Sequence, residues 1–168
     1  MLKAIAILFC ITLIPGLELR ASIPMGILGG RWIDSPMDWP TVVITCVLSN
    51  ILIGSAFFFL LDPLVKTFRR ISWIDRLLER YLDNAQRKLK PNVEKYGFWG
   101  LAIFIGIPLP LTGAYTGAAG AYTLGMKRRQ FMLANVVGVL IAAVCVTIIS
   151  LLIRAGIDFA FFDILIKS

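Results

Sequence analysis

Two uncharged apolar runs constrain this chain more than anything else in it. The first, 39–61, reads WPTVVITCVLSNILIGSAFFFLL; the second covers 131–153. Each is 23 residues long. As a helix such a run measures ~35 Å, enough to cross a hydrocarbon core of ~30 Å with some tilt. Trp39 and Arg154 stand where interface anchors are expected. Only 16% of the 168 residues are charged and 58% are hydrophobic. An ordinary soluble domain has roughly 25% charged residues, so a soluble enzyme is excluded and an integral membrane protein is expected.

Two further apolar regions are interrupted. Region 2–30 starts with an apolar run, breaks at Pro15-Gly16, carries Glu18 and Arg20, and resumes as IPMGILGG. Region 97–126 starts with GFWGLAIFIGI, breaks at Pro108-Leu109-Pro110 and resumes as LTGAYTGAAGAYTLGM. Proline removes a backbone donor and clashes with the preceding turn, so both breaks should be real. The halves suit re-entrant segments better than full spans. Interrupted backbone at membrane depth needs cover from protein or a water-filled cavity.

Charge distribution orients the pieces. Nine of the 17 Lys and Arg lie in 62–96, and Lys127, Arg128 and Arg129 form a second block. Basic blocks beside apolar segments read as cytoplasmic rather than as a nucleic-acid surface. Region 97–126 then begins and ends on one side, as a re-entrant hairpin does. The span 131–153 runs outward and 39–61 inward. The loop with Arg31, Asp34 and Asp38 falls outside. Region 2–30 reads as a hairpin entering from outside, with a tilted full span as the alternative. Lys3 followed by an apolar run also resembles a secretory leader, but no small-x-small cleavage site follows.

Hairpin plus span, twice and with opposite orientation, predicts an all-α membrane fold built from two inverted repeats. The expected divisions are a first repeat 1–61, a cytoplasmic amphipathic linker helix 62–96, a second repeat 97–154 and an interfacial tail 155–168. The linker helix is expected over 63–90, with Pro91 at its end. Its apolar positions are Leu64, Phe68, Ile71, Ile74, Leu78, Tyr81, Ala85 and Leu89, and it would lie on the anionic leaflet, the alternative being a solvated helix packed on the membrane domain or on a second subunit. Inverted repeats with interrupted helices are the usual build of secondary transporters, whose sites lie where the breaks meet.

The residues after the breaks supply the candidate site. Ionisable groups at depth are costly, about +2.5 to +3.5 kcal/mol on insertion scales, and mark a pathway or a partner. Glu18 is the candidate proton carrier. Arg20 offers a planar fork of donors for phosphate or carboxylate. The alternative is a structural Glu18–Arg20 pair. Thr112 and Thr116 are candidate polar lining. Gly113, Gly117, Ala121 and Gly125 recur every four residues, beside Thr112, Thr116 and Gly120; Ser22, Gly26 and Gly30 do the same in the first half. Such stripes let helices approach closely in lipid, so Gly117, Gly120 and Gly125 are expected at packed interfaces. The chain has no His, and Cys10, Cys46 and Cys145 stand far apart in apolar runs. No metal site, cofactor or enzymatic activity is expected.

The segments ELRASIP at 18–24 and PLPLTGAYTGAAGAYTLG at 108–125, and the closing span with Asn135 and Gly138, resemble the small multi-drug export family. That family is a compact relative of the DedA/VTT membrane proteins. The resemblance covers nearly the whole chain; its most specific part is PLTGA at 110–114, with Glu18 and Arg20 in support. It implies paired re-entrant hairpins and a transport role. DedA-type relatives are linked to moving phosphorylated lipid carriers or scrambling phospholipids, with acidic and arginine residues near the hairpin tips. Here Glu18 is the only acidic residue near a break, and the second hairpin offers Thr112 instead. The expected protein is therefore a membrane transporter of an amphipathic molecule or a lipid phosphate. Glu18, Arg20, Pro110, Thr112, Gly113 and Thr116 would form its site. Membrane lipids are expected partners and nucleic acid is not; a homo-oligomer stays open. The competing class is a scaffold that binds lipids or partners through its basic helix.

Overall fold

Proline and polar residues partition the chain as local sterics require. In the computed structural model, which describes residues 2–29, 37–68, 72–108 and 112–155, the first apolar run forms helix α1, Leu2–Thr12. It stops three residues before Pro15, which disfavours helix in the residue ahead of it. Gly16 takes φ +91° and Glu18 φ +47° in the turn. The chain then re-enters helix as α2, Glu18–Leu28. Thr12 and Ser22 close this hairpin through a hydroxyl–hydroxyl bond of 2.9 Å.

The long helix α3, Trp39–Phe68, follows. Asp38 caps it, accepting from the Thr41 hydroxyl and from the Thr41 amide. The hydroxyl bond, then the amide bond, hold the Asp38 carboxyl below the usual carboxylate range. After α4, Ser72–Tyr96, the second hairpin consists of α5, Phe98–Gly106, and α6, Ala114–Thr123. The last helix, α7, covers Arg128–Arg154. Among the described residues there are these seven helices and no strand. Two of them, α3 and α7, are long and apolar enough to cross a membrane.

Helices of the two halves pack crosswise. α2 of the first half lies on α7 of the second, and α6 of the second lies on α3 of the first. α5 also lies along α7. Phe58 of α3 stacks on Phe131 of α7 with ring centroids 4.2 Å apart. Phe57 meets Tyr115 of α6 edge-on at 5.0 Å. Gly26 brings α2 against Val42 of α3: a Cβ there would lie 2.5 Å from a Val42 methyl.

Three expectations need correction. Residues 62–68 belong to α3, which continues through Pro63. The linker helix starts at Ser72 and runs through Pro91 to Tyr96. Pro91 does not end it: the proline removes one backbone donor, and the helix continues past it to close its last turn with the Gly97 amide donating to the Val93 carbonyl at 2.7 Å, where α5 packs against Asn92 at Gly100. Nor is the apolar face of α4 reserved for a membrane surface. Leu82, Ala85 and Leu89 are buried, and Gly120 of α6 admits Leu89, whose Cδ2 lies 2.8 Å from where a Cβ would stand. Trp73 and Leu77, nearer the start of α4, stay exposed.

The glycine stripe of α6 divides its work. Gly117 faces Ile105 of α5, and Gly120 faces α4, as packing positions. Gly125 does not pack: a Cβ there would meet nothing within 4 Å. It takes φ +64° in a left-handed stop after α6, with the Met126 amide bonding the Ala121 carbonyl at 3.0 Å. That is a Schellman-type ending, which glycine favours by conformation rather than by contact. Gly30, Arg31, Asp34, Pro110 and the tail from 156 onward lie outside the described residues.

Candidate functional site

The two hairpin breaks meet. Glu18, the first residue of α2, is buried, with 3% of its surface exposed. Its carboxylate reaches across to the first turn of α6. Oε2 accepts from the Ala114 amide at 3.1 Å, and Oε1 from the Tyr115 amide at 3.3 Å. Asn50 of α3 adds a third donor, its Nδ2 lying 3.4 Å from Oε2. A helix N-terminus presents free amides and the positive end of the helix dipole, so a carboxylate there is doubly favoured. The contact spans 96 residues of sequence for Ala114.

Gly113 makes this approach feasible. Its φ is +114° and its ψ −173°, a region open almost only to glycine. A Cβ at this position would lie 2.6 and 2.8 Å from the two carboxylate oxygens of Glu18. The missing side chain is the space the carboxylate occupies.

Arg20, two residues further on, is half-buried. Its Nη2 donates to the Ile107 carbonyl at 3.1 Å and to the Thr112 hydroxyl at 2.7 Å. The Thr112 hydroxyl donates to the same carbonyl at 2.8 Å. Arg20 therefore ties α2 to both sides of the second break, while Glu18 ties it to α6. An anionic and a cationic group from the first hairpin hold the second.

Thr116 faces elsewhere. It is hydrogen-bonded to the Tyr81 hydroxyl of α4. Burial pushes the Tyr81 hydroxyl above its ordinary value; the Thr116 bond opposes this and the Glu18 carboxylate adds to it. The structure thus joins Glu18 with Gly113 and Arg20 with Thr112, and turns Thr116 toward α4.

Sequence reasoning missed Asn50 and the part played by Asn135. Asn135 is fully buried in α7; its Nδ2 donates to the Ile51 carbonyl at 3.2 Å and approaches Ser55 Oγ at 3.5 Å. Gly54 leaves room for that amide. Among the described residues the Oδ1 atoms of Asn50 and Asn135 have no hydrogen-bond partner. The available signal was polarity: a carboxamide in the middle of an uncharged span usually finds a partner on another helix. Among the described residues no three His, Cys, Asp or Glu side chains lie together.

The residues that build this junction fall within one family pattern. The model of the family described as "Putative small multi-drug export protein" matches residues 18–145, which takes in Glu18, Arg20, Asn50, Gly113 and Asn135. The chain belongs to the small multi-drug export family. Neither a curated protein nor a solved structure matches it. The family's description as an export protein, together with two helices of membrane-crossing length and hydropathy, is consistent with a membrane transporter. The match opens at Glu18, the residue whose carboxylate joins the halves, and leaves α1 outside.

Proposed function

We propose that this small multi-drug export protein moves an amphipathic substrate by alternating access of two inverted halves, with Glu18 as the protonatable group. The observation that carries the reading is the Glu18 carboxylate on the α6 N-terminus. It is a non-covalent latch between halves that also pack crosswise through α2 on α7 and α6 on α3. Proton uptake removes the charge that the α6 amides hold, and the latch loosens. The freed amides, Arg20 and Thr112 then present donors to an anionic substrate group. Deprotonation restores the carboxylate as a competitor for those donors and expels the substrate. Glu18 and the substrate anion exclude one another from the same amides, which is a physical basis for coupling.

Reconstitution in vesicles tests this reading. Wild-type flux of a labelled amphiphile should follow the pH gradient. Glu18→Gln should abolish that dependence while the substrate still binds. Arg20→Lys keeps the charge but loses the planar fork, so binding of an anionic head should weaken roughly tenfold with the fold intact. A double replacement of Glu18 and Arg20 by neutral residues that stays stable and transports normally would defeat the site. A wild-type protein that binds amphiphiles and moves none would favour the scaffold class.

The inverted, re-entrant arrangement has its own test. In a background free of the native cysteines, single cysteines at positions 34, 87 and 128 report sidedness. An impermeant thiol reagent outside the cell should reach position 34 and miss 87 and 128. Labelling of position 128 from outside would turn 97–126 into a full crossing and remove the inversion.

A further inference from the structure

Two clefts adjoin where α4 meets the end of α3 and the flank of α6, apart from the Glu18–Arg20 junction. The first, of about 510 Å³, is walled mainly by Phe68, Ile74, Leu77 and Leu78. The second, of about 330 Å³, is bounded by Ala85, Lys88 and Thr116. Tyr81 and Asn84 line both, so one surface runs from a hydrocarbon wall to a polar end. Small-molecule sites occupy about 300–1,000 Å³, and both volumes fall in that range.

The charges decide what fits. Arg80 lines the first cleft and Lys88 the second, and among the described residues neither lining contains an acidic one. A cationic amphiphile would meet like charge in both linings. An anionic head would find the Lys88 ammonium, the Asn84 amide and the Thr116 hydroxyl at the polar end. The apolar cleft has the volume for one hydrocarbon tail rather than the paired chains of a bilayer lipid. Exposed Trp73 and Leu77 flank its start on α4, so a tail can arrive along an apolar surface.

We propose that these paired clefts bind one single-tailed anionic amphiphile, its tail against Phe68, Ile74, Leu77 and Leu78 and its head at Lys88 and Asn84 beside Thr116. This deepens the transport reading, on which it rests for the fate of the bound molecule, by naming a substrate class and its docking site. Thr116, which the Glu18–Arg20 junction leaves aside, gains a role here. Tyr81, bonded to Thr116, lines both clefts and feels the buried Glu18 carboxylate.

The test uses the full chain in phosphatidylcholine nanodiscs and a photoactivatable oleoyl lysophosphatidic acid. Cross-links should map to α4 between positions 77 and 88. Unlabelled lysophosphatidic acid and oleate, a phosphate and a carboxylate head on the same tail, should both compete, and their ranking identifies the preferred head. Lysophosphatidylcholine, a cationic amphiphile of the same tail and glycerol phosphate should not. Lys88→Glu should weaken binding roughly tenfold. Arg87→Glu, the same charge change on an exposed neighbour outside both linings, should leave it unchanged. Equal losses in the two variants would reduce the effect to surface attraction and overturn the site. So would competition by lysophosphatidylcholine or by glycerol phosphate at the same concentration as lysophosphatidic acid. If docking is selective but Lys88→Glu transports as the wild type does, docking is not a step of transport and that part of the proposal falls. Selective docking by a wild-type chain that moves nothing would keep the site and overturn the transport reading instead.

Discussion

Gly100→Ala is expected to destabilise the protein more than any other single methyl addition considered. The α4–α5 corner is closed backbone to backbone. A Cβ at position 100 would stand 2.1 Å from the Asn92 carbonyl oxygen and 2.5 Å from its carbon. Neither atom belongs to a side chain that can rotate away, so the two helices must part. Overpacking typically costs about 1–3 kcal/mol, and an immovable neighbour puts this case at about 3 kcal/mol or more. For a chain of this size that corresponds to a melting temperature lower by roughly 6–12 °C. Gly97→Ala is the control in the same corner. Its φ of +56° with ψ −126° is a backbone conformation that favours glycine, but a Cβ there meets nothing within 4 Å, so only a backbone strain of about 1–3 kcal/mol applies, without the backbone clash. Thermal unfolding in detergent compares the two. A Gly100→Ala protein that melts no lower than Gly97→Ala would show that α4 and α5 are not in backbone contact.

Gly113→Ala is expected to break the junction between the halves. Two effects coincide. The backbone at φ +114° and ψ −173° strains any L side chain by about 1–3 kcal/mol. The new methyl also stands where the Glu18 carboxylate lies, so the Ala114 and Tyr115 amides lose their acceptor. An unsatisfied buried donor costs about 1–3 kcal/mol, and the total should reach about 3 kcal/mol or more. A double-mutant cycle separates the parts. In a Glu18→Ala background the displacement has already happened, and Gly113→Ala should cost only the strain. A coupling of about 1–3 kcal/mol is therefore expected. Full additivity would mean that Gly113 serves only the turn, not the carboxylate. Transport should be lost in Gly113→Ala even at temperatures where the fold survives, because the latch is absent.

How much of this was open to a reader of the sequence differs by element. The runs 39–61 and 131–153 appear as α3 and α7 because the hydrophobic length of a spanning helix is a one-dimensional property. Both breaks were legible because a proline acts on its immediate neighbours, and α1, α2, α5 and α6 flank them as expected. Pro91 was misread by the same rule: α4 carries the proline inside it, and the close approach of the next helix at Gly100, just beyond, has no signal in the residues around Pro91. Gly125 looked like a packing residue because spacing cannot tell a stripe from a stop; only its φ of +64° does.

The candidate site divides in the same way. Glu18 and Arg20 stood out because charge beside an apolar run is costly wherever the chain goes. Their partners were not legible. The Ala114 and Tyr115 amides carry no residue-type signal, since every non-proline residue has one. Asn50 is one polar residue in a span, and nothing local says which helix it faces. The sequence alone determined which stretches could meet a membrane, where the backbone must be interrupted and which charges would be left near the interruptions. Tertiary structure alone decided that the interruptions face each other, that a carboxylate from one caps the helix of the other, and that Thr116 turns away to α4. Length, hydropathy and proline sterics act along the chain. A hydrogen bond across 96 residues depends on crossing geometry and on the space that Gly113 leaves, and neither is written in any one segment.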